Sequence, residues 1–550
     1  MIFPQKSEGI VSADITDNVV SDGVEDVTVQ LNAALALGQN ISLARGGTYL
    51  ISNTINVPSG VTLYGNGATI KRAPQKSSTT ATALVSGVTV NIVVADITKF
   101  RIGQRIVAQE IAVPGNYDQN PRVIGDINGN TIILTTTVGI TAAGGANIYI
   151  AYPTLNTAGD NLIDNVVFDG NKANFPFARW EWGQEIHVLG SRNVIRRCRV
   201  HDTPGEGLTI ASGIHNRISN CNFNDLNGNG IHLSGSNDII IENVSVENCN
   251  LDTDVGHADG AIIWSNLITD VVVKNCYVDT TPLAAIGSID SADNSDVTIE
   301  GCTFRNCGRV LDGIAGSATD VPVRMNWINN RIYDCVIFEY RNTAGPTNFL
   351  GNLICTNIFF SNTKVLITRA KQVTFSNNEI ADAGDVTAVE ASFQVVTDLT
   401  CQGNRIEGGL YGIFLDGACQ NILVQGNVLK NQNLGAIRLE STFTADTCIL
   451  GGNAISNAAG ANASYFGILP RARTAVVDNV INLTGGGGDR GIFGTTDSRA
   501  TGNTVIKGAA TSTMRIDAGQ TGVVFGENFV TTAAVDVPGT NTIRNEVIIP

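Results

Sequence analysis

Gly403-Asn404-Arg405-Ile406, Gly426-Asn427-Val428-Leu429, Gly452-Asn453-Ala454-Ile455 and Gly502-Asn503-Thr504-Val505 are one phrase repeated along the chain. Its general form is Asn-x-apolar, usually after Gly or a second Asn. Followed outward, its asparagines are Asn352, Asn378, Asn404, Asn427, Asn453, Asn479, Asn503 and Asn528, at spacings of 26, 26, 23, 26, 26, 24 and 25 residues. A fixed period of this length marks stacked repeats. Backwards, the phrase reaches Asn330. Its Asn then gives way to Cys302, Cys276, Val244, Cys221, Cys198 and Val166. Four of the eleven cysteines therefore share one register. That is a buried, structural use of the thiol, not a disulfide framework or a zinc site.

About 15 repeats of roughly 25 residues, each with three short β-rich stretches, predict an all-β parallel β-helix. One coil cannot bury its own apolar face, so coils stack. Inward asparagines can bond their equivalents in neighbouring coils, which keeps a buried polar column satisfied. Alternation sets the faces. Gly207-Leu208-Thr209-Ile210 matches Gly230-Ile231-His232-Leu233 and Gly260-Ala261-Ile262-Ile263. Leu208, Ile210, Ile231 and Leu233 are predicted to point inward, Thr209 and His232 outward. Residues 21–37 carry Val27, Leu31, Ala34 and Leu35 at helical spacing, which predicts a short helix capping the open end. The expected organisation is a cap helix and first coils over 1–73, a small inserted β-domain over 74–155, and the β-helix over 156–550.

Composition excludes several functions. The 550 residues carry a net charge of −15, which argues against non-specific nucleic-acid binding. No apolar run reaches the roughly 18 residues of a membrane span. The opening Met1-Ile2-Phe3-Pro4-Gln5-Lys6 has no secretory apolar core. Export therefore proceeds without such a signal, or the chain has been trimmed.

Asp22-Gly23-Val24, Asp26, Leu31-Asn32-Ala33-Ala34-Leu35, Gly46-Gly47-Thr48-Tyr49-Leu50 and Val57-Pro58-Ser59-Gly60-Val61-Thr62-Leu63 together resemble the N-terminal signature of the pectate-lyase-like right-handed β-helix superfamily. Phage tailspike polysaccharide depolymerases are the nearest likeness. The resemblance implies a right-handed helix, a polysaccharide partner, a homotrimer, and a place on a virion tail or outside a cell. The superfamily holds hydrolases, lyases, epimerases and esterases, so the reaction must be argued from the site.

Two coils are too long. Val166 to Cys198 and Val244 to Cys276 are each 32 residues. Insertions in a solenoid become loops on one face, often the binding face. The first excursion holds Arg179, Trp180, Trp182 and Glu185; Trp264 follows the second. Tryptophan faces stack on sugars, so these are read as a carbohydrate platform. In the second, Asp252 and Asp254 offer oxygen ligands for Ca²⁺, though not at EF-hand spacing. Otherwise neither a metal nor a cofactor is expected. Aligned strand starts place Gln184, Glu206, Asn229 and Asp259 in one column, and His187, Thr209 and His232 in another. His257 lies beside them. Asp169, Asp202 and Asp225 form a third column at a turn, where Asp commonly bonds local backbone. Asp202 is also a candidate sugar contact.

Glu206 and Asp259 share a register two coils apart, about 9–10 Å along the axis. That is near the range of an inverting acid and base. The leading expectation is a glycoside hydrolase acting on a bacterial capsule or O-antigen, with Glu206 and Asp259 as acid and base and His232 assisting. Arg179, Trp180, Trp182, Glu185, His187, Asp202, His257 and Trp264 would bind substrate. The alternatives are a uronate-specific lyase and a non-catalytic carbohydrate-binding fibre.

Overall fold

The computed structural model describes residues 13–14, 19–80, 82–113, 116–118, 120–175, 183–251, 260–266, 268–289, 295–315, 324–342, 353–360, 363–381, 391–444, 447–457, 465–471, 473–483, 490–507, 512–516, 522–531, 535–536, 542–544 and 547–549. They form two compact units, Met1–Ile262 and Ile263–Pro550.

Both units are parallel solenoids with three strands per coil. In the first unit, Leu155–Thr157, Ile186–Val188, Leu208–Ala211 and Ile231–Ser234 pair as first strands. Leu162–Asp164, Val194–Arg196, Arg217–Ser219 and Asn237–Glu242 pair as second strands. Val167–Asp169, Arg199–Thr203, Asn222–Leu226 and Ser245–Glu247 pair as third strands. The predicted register holds: Leu208 pairs with Ile231 and Thr209 with His232. Leu208, Ile210, Ile231 and Leu233 are fully buried.

The only α-helix among the described residues is Thr28–Ala36. It is shorter than the 21–37 stretch, because Asp22–Asp26 joins the solenoid as a strand pairing with Thr48–Ile51. Leu31 and Leu35 are buried. Asn32 Nδ2 donates to Thr54 O at 2.9 Å, and Asn56 N donates to Asn32 Oδ1 at 2.8 Å. One helix side chain thus satisfies backbone groups at the strand Ile55–Val57, as a neighbouring strand would.

Ile55–Val57 pairs directly with Leu155–Thr157, and Thr69–Arg72 with Val167–Asp169. Two successive coils are therefore interrupted in sequence but not in space. The intervening chain forms a separate six-stranded sheet with antiparallel pairings, from Ser77–Thr79 to Ala146–Ile150.

In the second unit the asparagine column is continuous. Asn404 N and Nδ2 both donate to Asn427 Oδ1, at 2.9 and 2.8 Å, and Nδ2 also donates to Phe375 O. The column runs Asn330, Asn357, Asn378, Asn404, Asn427, Asn453, Asn479, Asn503 and Asn528 with the same pattern, except that Asn357 gives only its N to Asn378 Oδ1 and turns Nδ2 to Cys355 Sγ. One expected member is corrected: the coil contributes Asn357, not Asn352. That coil holds two Asn-x-apolar phrases, Asn352-Leu353-Ile354 and Asn357-Ile358-Phe359. Burial of Leu353 and Cys355, which pair with Met325 and Trp327, makes the first phrase part of the second strand. Asn352 itself lies outside the described residues.

All eleven cysteines are buried. At the Asn register, a thiol replaces the amide. Cys302 Sγ contacts Val273 O at 3.6 Å, as Asn330 Nδ2 donates to Ile299 O. Burial pushes the Cys198 thiol well up, and the neighbouring Cys276 thiol, followed by burial, does the same for Cys302, which keeps both protonated and unreactive.

Candidate functional site

The turn between third and first strands is built on stacked glycines. A Cβ on Gly205 would lie 2.8 Å from Gly183 backbone, and one on Gly228 2.9 Å from Gly205 backbone. This close approach brings Gln184, Glu206 and Asn229 into one column, as the sequence register predicted. The outward column of the following strands is Asn56, Asn156, His187, Thr209 and His232.

Glu206 is the hub. It is 4% exposed. Thr209 Oγ1 donates to its Oε2 at 2.6 Å and Asn229 Nδ2 to its Oε1 at 3.0 Å. His232 Nδ1 lies 3.1 Å from Oε1. Burial works to raise the Glu206 pKa, but His232 and the hydrogen bonds outweigh it and hold the carboxyl below its usual range. Glu206 is therefore a carboxylate near neutral pH. It cannot be the proton-carrying acid. The contact does fix the imidazole tautomer, with Nδ1 turned to Glu206 and Nε2 turned away. His187, next but one in the column, is pushed down to about 4, first by burial and then by the Arg105 guanidinium.

A second buried network lies where the inserted sheet begins and ends. Arg72 Nε is 2.9 Å from Glu185 Oε1, and both side chains are wholly buried. Arg72 Nε also donates to Thr154 Oγ1, and Arg72 Nη2 to Gly183 O. The guanidinium lies 5.0 Å from the Phe175 ring centre and 5.5 Å from that of Tyr152. Burial raises the Glu185 pKa, with Arg72 opposing it. Glu185 is thus a structural partner of Arg72 and not a sugar contact, which corrects the expectation.

The third-strand face carries a different cluster. Asp169 pairs with His201, and His201 with Asn224. The expected Asp169–Asp202–Asp225 column is corrected: Asp202 and Asp225 sit one residue further on, with φ of 51° and 59°. Those are left-handed positions that Asp tolerates and that bend the strand out of its alternation. One ligand atom each from Asp169, His201 and Asp202 falls within 4.8 Å of the others, a geometry able to hold a cation. Lys71 Nζ already lies 2.9 Å from Asp169 Oδ2, and His201 Nδ1 2.9 Å from Asp202 Oδ2.

Trp264, in the second unit, is completely buried. A ring without an exposed face cannot stack on a sugar, so that expectation is corrected. Arg179, Trp180, Trp182, Asp252, Asp254, His257 and Asp259 lie outside the described residues. The structure adds Thr209 and Asn229 as holders of Glu206; Asn229 was readable from the column, and Thr209 was read only as outward-facing. It also adds an acidic pair in the second unit. Asp312 pairs in register with Glu339, and Arg309 Nη1 lies 2.5 Å from Asp312 and 3.3 Å from Glu339. The alternation Leu311-Asp312-Gly313 and Phe338-Glu339-Tyr340 could have revealed this pair.

Residues 184–354 match the family model described as "Right handed beta helix region". No curated protein matches the chain. Among solved structures, the pre-mature gene product 12 of bacteriophage phi29 is 11% identical, covering 97% of this chain and 72% of that one, with a TM-score of 0.50. PfbA, a surface adhesin of Streptococcus pneumoniae, is 14% identical over 82% and 93%, with a TM-score of 0.45. The tailspike of E. coli bacteriophage HK620, solved as its E372Q mutant with a pentasaccharide, is 12% identical over 95% and 82%, with a TM-score of 0.40. Identities this low speak to fold alone. The strand registers, the family match and the likeness to gene product 12 make this chain a right-handed parallel β-helix.

Proposed function

We propose that the chain is a polysaccharide depolymerase that hydrolyses glycosidic bonds of a bacterial capsule or O-antigen. The observation that carries this reading is the buried Glu206 carboxylate, which takes Thr209 and Asn229 as donors and lies against His232 Nδ1 on an outward solenoid face. Glu206 orients His232 and stays ionised. His232 Nε2 takes the proton of the attacking water, and Asp259 is assigned to protonate the leaving oxygen. The expected pairing of Glu206 and Asp259 as acid and base is thereby changed: Glu206 positions His232, and His232 is the base. The homotrimer and the extracellular or virion-tail location belong to the same reading.

A second reading, β-elimination on a uronate polymer, is favoured by one observation. The Arg105 guanidinium acts as a positive charge on His187, and in this reading it neutralises a uronate carboxylate while His232 takes the neighbouring proton. The test is a capsule and O-antigen panel, following reducing ends and the ultraviolet absorbance of unsaturated uronates. Hydrolysis gives new ends without absorbance; elimination gives both. The hydrolase site is overturned if Glu206→Gln and His232→Ala, folded by circular dichroism, keep wild-type rates while Asp312→Asn or Glu339→Gln is inactive.

A further inference from the structure

We propose that Asn229 is a positioning residue of the reaction: its side-chain amide ties the strand that follows Asp259 to Glu206, and through Glu206 it sets the protonation of His232. The inference rests on reading the Glu206–His232 face as the catalytic site, and it adds the residue that joins the two sides of that site.

Placement comes from the backbone. Asn229 stands one coil after Glu206 in the column before the first strands, and Gly207 N donates to Asn229 O at 2.9 Å. Ile231–Ser234 follows it and pairs with the next first strand, Gly260–Ser265. These coils are tightly stacked, since a Cβ on Gly230 would lie 2.8 Å from Ala261 O. Asp259, assigned to protonate the leaving oxygen, immediately precedes that strand in the chain.

The amide supplies the chemistry. Asn229 is 2% exposed. Its Nδ2 donates to Glu206 Oε1 at 3.0 Å, and its Oδ1 accepts from Gly260 N at 3.3 Å. A backbone N–H only donates and an ionised carboxylate only accepts, so the amide has one orientation. Turned over, it would set donor against donor and acceptor against acceptor. One rigid plane therefore holds both partners. The bridge is particular to this residue: among the described residues, Gln184, two coils earlier in the same column, has neither amide atom in a hydrogen bond. Glu206 Oε1 faces Asn229 Nδ2 and His232 Nδ1 together. The amide thus governs how much of that oxygen's charge is left for an imidazolium.

The test uses the full chain labelled with ¹³C-carbonyl aspartate, ¹⁵N-glycine and ¹³C-imidazole histidine. The first two labels select the five Asp-Gly amides of the sequence, and Gly260 is assigned by loss of its signal in Asp259→Asn. Asn229→Ala should speed hydrogen exchange at Gly260 by about tenfold or more, the worth of one hydrogen bond. It should also raise the His232 pKa, on the order of half a unit, because Glu206 loses a competing donor. Thr209→Val removes a different donor from Glu206 without touching Gly260. It should raise the His232 pKa and leave Gly260 exchange as it is. Asn229→Leu, which keeps bulk without the amide, gives the same readouts should the alanine variant not fold. On a polymer that the chain cleaves, Asn229→Ala should move the acidic limb of kcat/KM upward. It should also lower kcat by roughly 10–100-fold at little change in KM, the cost of misplacing a reacting group. Unchanged Gly260 exchange, or an unchanged His232 titration, in the folded Asn229 variant overturns the proposal. Cleavage is scored separately with His232→Ala. Gly260 and His232 responses as expected, with no polymer cleaved, remove the enzyme and keep the link. Cleavage lost in His232→Ala, with Asn229→Ala keeping the wild-type profile, does the reverse.

Discussion

The two units use one solenoid rule for different ends. In the second unit the position before the third strand is Cys276 and Cys302 and then Asn coil after coil, and from Asn404 on each Oδ1 accepts from the N–H and Nδ2 of the preceding coil. In the first unit the same position is Val166, Cys198, Cys221 and Val244. There the buried polar groups gather instead around Glu206 and Arg72. A repeated column spreads polar satisfaction evenly, so no residue in it is singular. A non-repeated network concentrates it in a few residues that have no equivalent above or below. Such concentration is what a reactive site needs.

The largest expected effect breaks the first-unit network at its chemistry. His232→Ala should lower depolymerisation by about 10²–10⁴-fold without unfolding the chain, the usual loss of a general base. Glu206→Gln should cost somewhat less, since the amide still meets Nδ1. A rate loss in Glu206→Gln larger than in His232→Ala would make the carboxylate the reacting group and reverse the assignment.

Next comes Arg72→Met. It strands the wholly buried Glu185 and should destabilise the first unit by about 3–5 kcal/mol, as removal of one partner of a buried pair does. Denaturant unfolding of Arg72→Met beside Arg72→Met/Glu185→Leu checks this; the double variant should recover much of the loss.

In the second unit, Asn404→Ala deprives Asn378 N and Nδ2 of their acceptor. The expected cost is roughly 1–3 kcal/mol for each group left unsatisfied. Asn352→Ala, outside the column, should cost far less. Equal losses in the two variants would refute the Asn357 register.

Acid sharpens the contrast further. His187 takes its proton only at about 4 when folded, against 6.5 in the unfolded chain. The unfolded state binds more protons between those values, so stability falls as pH drops from about 6.5 to about 4. The depressed pKa of Glu206 acts in the same direction, its contribution being lost as pH falls through the folded value. Thermal melting across this range should show a smaller drop for His187→Asn than for wild type.

The smallest effect is a null result. Thiol reagents should leave Cys198, Cys221, Cys276 and Cys302 unmodified in the native chain, since all are buried.

The sequence by itself determined the solenoid, its period, the inward and outward alternation, and the column of Gln184, Glu206 and Asn229. These follow from local repetition: a residue's role is copied from its equivalent one coil away, and copies can be counted. Where one coil offered two matching phrases, counting chose Asn352, and only the packing of Leu353 and Cys355 selected Asn357. The tertiary structure alone decided that Trp264 and Glu185 are core residues, that Glu206 is held ionised by His232, Thr209 and Asn229, and that Arg72 meets Glu185 from more than a hundred residues earlier. Each of those depends on burial and on contacts between segments with no repeat relation. No periodicity in the chain encodes them.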